Sequence, residues 1–187
     1  MGLSIHYSGY ISHLDLIKPL KDEVVDICTD LGWELHVIGD EEISGVVFSP
    51  KECEPISLTF NQDGRLLSPQ NIMVKDIYDG ITLGKELIFT TSTKTQYAGM
   101  DAHIAVIKLL RHLSKKYMKD FTLVDEGLYW ETNDEKVLQD QFGAYNSALD
   151  IISEALQNMP DVPGETMESL TDRIERLLRE KLGGKEE

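Results

Sequence analysis

One turn of the chain places three carboxylates around an adjacent tyrosine and tryptophan. The carboxylates belong to Asp125, Glu126 and Glu131, and the aromatic pair is Tyr129 and Trp130. Carboxylates beside aromatic rings can bind a metal or acquire a raised pKa for acid catalysis, and Tyr and Trp favour binding surfaces. A loop between a strand and a helix also collects acids for solubility and aromatics that seal the core. The sequence leaves both interpretations open.

A second candidate lies where a strand rich in hydroxyl groups leads into a helix, from Thr90 to His103. Lys94 and Tyr97 precede the expected helix start, and the N–H groups and dipole of a helix N-terminus favour an anion. The junction could therefore bind a phosphate or a carboxylate. It lacks the GxxxxGK[ST] order of a P-loop, and Asp101 could itself occupy the cap.

His103 lies near the start of this helix, about 60° from the middle of its apolar face. Partial burial and the helix dipole both disfavour an imidazolium there, and a neutral imidazole can serve as a metal ligand or general base. A histidine in such a place can equally donate one hydrogen bond to a neighbour. The enzymatic alternative combines His103 with the carboxylates of Glu126 and Glu131.

Other reactive side chains do not form a recognisable motif. His6, His13 and Asp15 could contribute to a metal site, but the two histidines lack the i, i+4 spacing that makes a helical metal motif specific, and the serines lack a GxSxG elbow. Cys53 lies between two glutamates, which raise a thiol pKa and weaken the nucleophile. The sequence therefore assigns no catalytic residue and no metal ligand, and it implies no particular cofactor.

The charge balance limits the classes of partner. The chain of 187 residues has 33 acidic and 18 basic residues, which gives a formal net charge of −15 at pH 7. Affinity for nucleic acid comes largely from Lys and Arg that displace counterions, so nucleic acid is not expected as a partner. Anionic membrane surfaces are disfavoured for the same reason.

Cysteine usage and the N-terminus point to the cytoplasm. The two cysteines, Cys28 and Cys53, have no CxxC or Cys/His spacing. The first ten residues lack the basic and apolar regions of a signal peptide, and no apolar run reaches the ~18 residues of a membrane span. We therefore expect a cytoplasmic protein that does not cross a membrane.

Hydrophobic periodicity predicts strands and helices along most of the chain. The strands are expected at Leu3–Ile11, Trp33–Ile38, Ile43–Ser49, Pro55–Phe60, Leu87–Thr95 and Phe121–Val124. The helices are expected from Lys18 to Leu31, from Asp101 to near Lys119, and after a cap at Asp134. Residues 65–84 are ambiguous, and a helical turn is expected around Met73–Tyr78.

This order of elements predicts an α+β fold. Short connections favour antiparallel neighbours, so we expect a two-layer sandwich in which a mostly antiparallel sheet carries helices on one face. A split βαβ arrangement with extra strands is the leading topology. We expect one domain over residues 1–160, followed at 161–187 by a Pro/Gly hinge and a C-terminal amphipathic helix that docks on its own domain or swaps onto a neighbour.

The central helix carries a basic stripe opposite its apolar face. Lys108, Arg111, Lys115 and Lys119 form the stripe, which is either a solvated helix face or the receptor of an acidic element. The acidic element would be the third helix, the tail or another copy of the chain. A swapped tail helix would make the protein a homodimer.

We interpret the protein as a cytosolic binding or protein-interaction module with an acidic surface, which masks a basic protein partner or self-associates. The junction after Thr95 and the turn after Asp125 would form one surface if the last strand lies near its predecessor. The expected ligand-binding residues are Lys94, Tyr97, His103, Glu126, Tyr129, Trp130 and Glu131. The alternative is a small metal-dependent or acid/base enzyme that uses His103 with Glu126 and Glu131.

Overall fold

The structure, a computed structural model, describes residues 3–39, 42–71, 88–158, 164 and 166–182. Its strands form two antiparallel sheets of three and four strands, and they occur together with several helices. The α+β class predicted from the sequence is therefore confirmed. Contacts divide the chain into two compact units, Met1–Gln139 and Asp140–Glu187. The division at residue 160 stays a prediction.

The three-stranded sheet has its N-terminal strand in the middle. Its members are β1 (Ser4–Ile11), β6 (Thr91–Lys94) and β7 (Met118–Asp125), in the order β6-β1-β7. Both outer strands run antiparallel to β1, so they are parallel to each other. The helix α2 (Met100–Tyr117) connects them. This is the predicted split βαβ arrangement, with β1 as the inserted strand.

The four-stranded sheet is an antiparallel meander in the order β2-β3-β4-β5. Its strands are β2 (Glu34–Gly39), β3 (Ile43–Ser49), β4 (Ile56–Asn61) and β5 (Leu66–Leu67). The helix α1 (Ile17–Leu31) packs on β3 through the buried side chains of Leu20, Val24 and Cys28. Gly32 ends α1 in the left-handed conformation, with φ of 65°, as its position after the apolar pattern predicts.

The two sheets are joined through the hydroxyl of Tyr7. This hydroxyl donates to the carbonyl of Ser57 on β4 and accepts a hydrogen bond from the amide of the same residue, each at 3.0 Å. Burial raises the pKa of Tyr7 far above its usual value, although the hydrogen bond to Ser57 opposes the shift. The phenol therefore stays neutral and can make both bonds.

Three helices follow β7 in the described part of the chain. The short α3 (Tyr129–Thr132) lies within a segment that the sequence predicts as a turn, and α4 (Glu135–Gln157) follows. The cap predicted at Asp134 is present, because its carboxylate accepts the amide of Lys136 at 2.8 Å. In the second unit, α5 (Met167–Leu182) is the predicted C-terminal amphipathic helix. None of the helices in the described ranges combines the length and apolar character needed to cross a membrane.

Several predicted boundaries differ from the structure. In the described part of the segment predicted as Leu87–Thr95, only Thr91–Lys94 pairs as a strand. The strand predicted at Phe121–Val124 begins earlier, at Met118, because the partner strand β1 is long enough to pair with it directly after α2. The pairing of Leu66 and Leu67 with β4 was not predicted. The turn predicted at Met73–Tyr78 lies outside the described residues.

Candidate functional site

His103 is the centre of a buried hydrogen-bonded network. Its Nδ1 atom lies 2.7 Å from Thr95 Oγ1, and its Nε2 atom lies 3.1 Å from Asp125 Oδ1 and 3.2 Å from Oδ2. The exposed fraction is 0% for Thr95 and His103 and 1% for Asp125. The sequence predicts a half-buried histidine, and complete burial is possible because both ring nitrogens have partners.

The Asp125 carboxylate is held in its ionised form by its neighbours. Burial raises the pKa, but the hydrogen bond and charge of His103 outweigh it, together with the amides of Trp130 and Gly127, and the net pKa is lowered. The two amides lie 2.9 and 2.7 Å from the carboxylate oxygens. An ionised carboxylate can only accept, so His103 Nε2 donates to it.

The other nitrogen of His103 can be satisfied in two ways. A neutral ring accepts at Nδ1 from the Thr95 hydroxyl, whereas a charged ring donates to Thr95 Oγ1, whose proton then points to the Leu3 carbonyl oxygen at 3.4 Å. A hydroxyl, an imidazole and a carboxylate thus stand in the order that nucleophilic catalysis uses. Here the side chains connect the residue after β6, α2 and β7 inside the protein, and they hold the two predicted segments together.

The three carboxylates predicted around the aromatic pair point to different places. Asp125 faces inward to His103, while Glu131 is exposed. Glu126 Oε2 accepts the amide of Ser4 at 2.7 Å, and its Oε1 atom lies 3.7 Å from His6 Nε2. The described residues contain no group of three His, Cys, Asp or Glu side chains that could hold a metal ion.

The aromatic pair is divided between the core and a cleft. Tyr129 is buried, with 2% of its surface exposed. Trp130 packs against Phe121, with ring centroids 6.1 Å apart, and the Arg111 guanidinium lies 5.1 Å from its centroid. Arg111 also donates to the carbonyl oxygen of Trp130 at 2.7 Å and to Asn133 Oδ1 at 2.9 Å. Arg111 of the basic stripe therefore fixes α3 against α2.

An open cleft of about 370 Å³ lies beside this contact. It is lined by Arg111, Ser114, Lys115, Phe121 and Trp130. The sequence treats the basic stripe and the aromatic pair as separate features, and the structure brings them together because α2 packs on β7.

Lys94 and Tyr97 lie at the surface on the other side of β1. The amide of Lys94 donates to Glu54 Oε2 at 2.9 Å, its carbonyl accepts from the Glu54 amide at 3.1 Å, and its side chain is exposed. Tyr97 is 68% exposed. The amide of Thr95 bonds to Leu3, which continues the strand pairing to the end of the sheet.

A second polar cluster, not predicted from the sequence, joins α1 and α2. Glu23 on α1 accepts from His112 at 2.7 Å, from Lys116 at 2.9 Å and from the hydroxyl of Tyr117. Burial raises the pKa of Glu23, but the bonds from Tyr117, Lys116 and His112 outweigh it and lower the pKa to about 2. His112 and Lys116 flank the basic stripe of α2, and α1 supplies the Glu23 carboxylate to which they donate.

The junction and the turn meet at one end of the three-stranded sheet. In the register, Ser4 pairs with Lys94 and Ile5 with Asp125, so only β1 separates the two segments. Val124 is 62% and Leu128 is 41% exposed at this end. We define Lys94, Tyr97, Val124, Glu126 and Leu128 as the sheet-end surface. Val124 and Leu128 were missed as site residues, and the sequence marks neither as exposed.

Comparisons of the chain with protein-family models, with curated proteins and with solved structures gave no match.

Proposed function

We propose that the protein is a non-catalytic module that binds another protein through the sheet-end surface. The observation that carries this proposal is the bridging position of His103, whose two ring nitrogens contact Thr95 and Asp125. This contact fixes the junction and the turn at the same end of the sheet. Three large apolar side chains, those of Tyr97, Val124 and Leu128, are exposed there.

The chemistry of the surface suits a protein partner. Tyrosine is enriched at interfaces because its ring buries a large area while its hydroxyl can still find a polar partner. Lys94 and Glu126 add one charge of each sign beside the apolar groups. Leu128 has a positive φ of 60°, an uncommon conformation for a bulky side chain, and strain of this kind is concentrated at binding and switch segments.

The net charge of −15 favours a basic protein as the partner. Opposite net charges steer diffusional encounter and raise the association rate more than the final affinity. Self-association is the second possibility, and the like charges of two copies oppose it. The two cysteines are free, which is consistent with a reducing, cytoplasmic compartment.

The enzymatic alternative uses His103 with Glu126 and Glu131. It would require His103 to leave its hydrogen bonds to Thr95 and Asp125, because the ring is 0% exposed. It would also require Glu126 to give up the amide of Ser4. The binding module needs neither change.

Site-specific photo-crosslinking in the cells that make the protein tests the proposal. A crosslinker placed at Tyr97 should capture one defined protein of basic isoelectric point, whereas the same group at exposed Asp26 on α1 should not. Leu128→Glu should abolish the Tyr97 product. The matched control is Leu14→Glu, since Leu14 is also an exposed leucine, at 53%, and it lies outside the surface.

Equal capture at Tyr97 and Asp26, or a product that survives Leu128→Glu, would contradict the proposal. A crosslink between two copies of the chain would identify the partner as a second copy and not as a basic protein.

A further inference from the structure

The outer side of β2 is an open strand edge. β2 is the last strand of its sheet, and it pairs only with β3 among the strands that the structure describes. The pairing runs without a break from Glu34–Ser49 to Gly39–Ser44. An edge strand presents alternate N–H and C=O groups that another extended chain can pair with.

The other strand edges in the described part of the chain are short, irregular or partly bonded. At the opposite end of the sheet, β5 has two residues, and Arg65 beside it forms a bridge to Tyr10. β6 has four residues, and its Lys94 is bonded to Glu54. β7 has an irregular register against β1 and a positive φ of 50° at Asp120. These features hinder pairing with a further strand.

β2 has none of these protections. Its sequence, ELHVIG, contains no lysine, arginine or proline, which are the residues that usually guard an edge. Its register against β3 is regular over six residue pairs. The strand is therefore long and regular enough to accept a partner.

Exposed apolar side chains accompany the open edge. Val37 is 56% exposed, although the residue opposite it on β3, Val46, is fully buried. Leu31, at the end of α1, is 53% exposed, and α1 contacts β2. The apolar layer between α1 and the sheet thus reaches the surface at this edge, where an added strand would cover Val37.

The charges at the start of β2 are acidic, because Asp30 and Glu34 are exposed there. At the far end, Lys21 donates to Ser44 Oγ at 3.3 Å, and its ammonium keeps its positive charge in this bond. A strand that carries positive charge at the end beside Asp30 and Glu34 would complement this pattern.

We propose that β2 receives an extended segment of a partner protein as a fifth strand of the sheet. The segment has about six residues with apolar side chains at alternate positions, and it carries lysine or arginine at the end that lies beside Asp30 and Glu34. Its backbone pairs with the outer edge of β2, its apolar side chains cover Val37, and its cations face Asp30 and Glu34. The inference rests on the edge of the four-stranded sheet and is independent of the sheet-end surface.

A second copy of the chain is a poorer occupant of the same edge. Each copy of the chain carries a formal net charge of −15, and the like charges of two copies oppose their association. A basic segment avoids this repulsion.

A synthetic peptide tests the inference on the full-length protein. The probe is Lys-Arg-Val-Thr-Val-Ser-Val-Thr-Arg-Lys with a fluorophore, and its control has glutamate in place of every lysine and arginine. Fluorescence anisotropy should show binding of the basic peptide only, with an affinity that falls as salt rises. Hydrogen exchange should show new protection of amides in Glu34–Gly39. No binding of the basic peptide, or no protection in β2, overturns the inference.

Two matched variants identify the edge that binds. Val37→Lys places a cation at the centre of β2, and Val124→Lys makes the same change at an exposed valine of β7. Val37→Lys should weaken peptide binding by about tenfold or more, because it adds a like charge and removes apolar contact, whereas Val124→Lys should leave it unchanged.

The reverse result would place the peptide on the sheet-end surface and overturn the inference. Protection of β2 that grows with protein concentration without peptide would make the second copy the occupant, and it would overturn the inference too. A failure of either kind leaves the Tyr97 crosslinking result unaffected.

Discussion

Ser4 and Glu126 are joined by two hydrogen bonds that run in opposite directions. The Ser4 amide donates to Glu126 Oε2 at 2.7 Å, and the Glu126 amide donates to the Ser4 carbonyl oxygen at 3.1 Å. The side chain of Glu126 thereby continues the pairing of β1 beyond the last regular bond of β7. A carboxylate that the sequence offers as a site residue therefore has a structural partner at the sheet-end surface.

Removal of Asp125 or His103 should strongly destabilise the fold. Asp125→Ala leaves the buried ring of His103 and the amides of Gly127 and Trp130 without their acceptor. We therefore expect the free energy of unfolding to fall by about 3 to 5 kcal/mol. Urea unfolding monitored by circular dichroism measures it. The control is His36→Ala on the exposed side of β2, which should change the free energy of unfolding by less than about 0.5 kcal/mol.

The paired variant separates a coupled network from independent contacts. Because His103 and Asp125 are bonded to each other, the double variant should cost less than the sum of the two single losses. A loss below about 1 kcal/mol for Asp125→Ala would contradict the buried pair.

Stability should depend on pH through Glu23. Its folded pKa of about 2 lies below the ordinary value of 4.5, so its contribution to stability is complete above pH 4.5 and is lost as the pH falls from 4.5 towards 2. In that window the unfolded chain binds the proton before the folded protein does. Glu23→Gln should therefore give a shallower loss of stability on acidification, as measured by urea unfolding at pH values from about 2.5 to 7.

At pH 7 the same variant should be only slightly less stable than the wild type. The Glu23 side chain is 22% exposed and Lys116 is 51% exposed, and exposed ion pairs contribute about 0 to 1 kcal/mol. Asp22→Asn on the same helix is the control, since Asp22 pairs with Lys18 and both side chains are exposed, at 62% and 80%. If the stability of Glu23→Gln and that of the wild type fall in parallel as the pH is lowered, Glu23 is not the group responsible for the pH dependence.

Alanine substitutions at three glycines should have graded effects. A Cβ atom at Gly45 would lie 2.1 Å from the carbonyl oxygen of Leu58, and one at Gly127 would lie 2.6 Å from Leu138 Cδ1 and 2.9 Å from His103 Nε2. A backbone atom cannot move aside as a side chain can, so Gly45→Ala should cost more than Gly127→Ala, for which about 1 to 3 kcal/mol is expected.

Substitution of the third glycine should raise the stability instead of lowering it. Gly143 lies inside α4, and a Cβ atom there meets nothing within 4 Å. Gly143→Ala should stabilise the helix by up to about 1 kcal/mol because alanine loses less backbone entropy. Thermal unfolding of the three variants checks the order, and a destabilising Gly143→Ala would contradict the open environment.

Cys53 should react slowly with electrophiles at neutral pH. Burial raises its pKa to about 11, with Glu54 adding to the shift and a hydrogen bond with Thr93 opposing it. In a Cys28→Ala background, the rate of alkylation by iodoacetamide should keep rising above pH 9, whereas an unperturbed thiol with pKa near 8.5 would level off. Glu54→Gln should move the profile to lower pH, and an unchanged profile would remove Glu54 as a cause.

The sequence predicts the local elements well where one face of each is buried. The alternation of Leu3–Ile11 gives β1 within one residue, and Ile43–Ser49 gives both ends of β3. On the apolar face that the periodicity predicts for α1, Leu20, Val24 and Cys28 are buried, but Leu31 is 53% exposed. These features depend on neighbours a few residues apart, which a pattern in one segment records.

The partners of the functional candidates were beyond the same reasoning. His103 meets Asp125 only because β7 pairs with β1, and Glu23 meets His112 only because α1 and α2 pack together. Such contacts depend on the register of strands that are distant in sequence. The exposure of Val124 was unpredictable for the same reason, since the pattern of a strand does not say which sheet face stays uncovered.

The central position of β1 also sets when the protein can fold during its synthesis. Ser4 and Glu126 are 122 residues apart, and both neighbours of β1 leave the ribosome long after it does. At about 5 to 20 residues per second, β1 waits several seconds or more as an unpaired apolar strand. The strands of the four-stranded meander are consecutive and can pair in that interval. The nascent chain therefore acquires its four-stranded sheet before its three-stranded sheet.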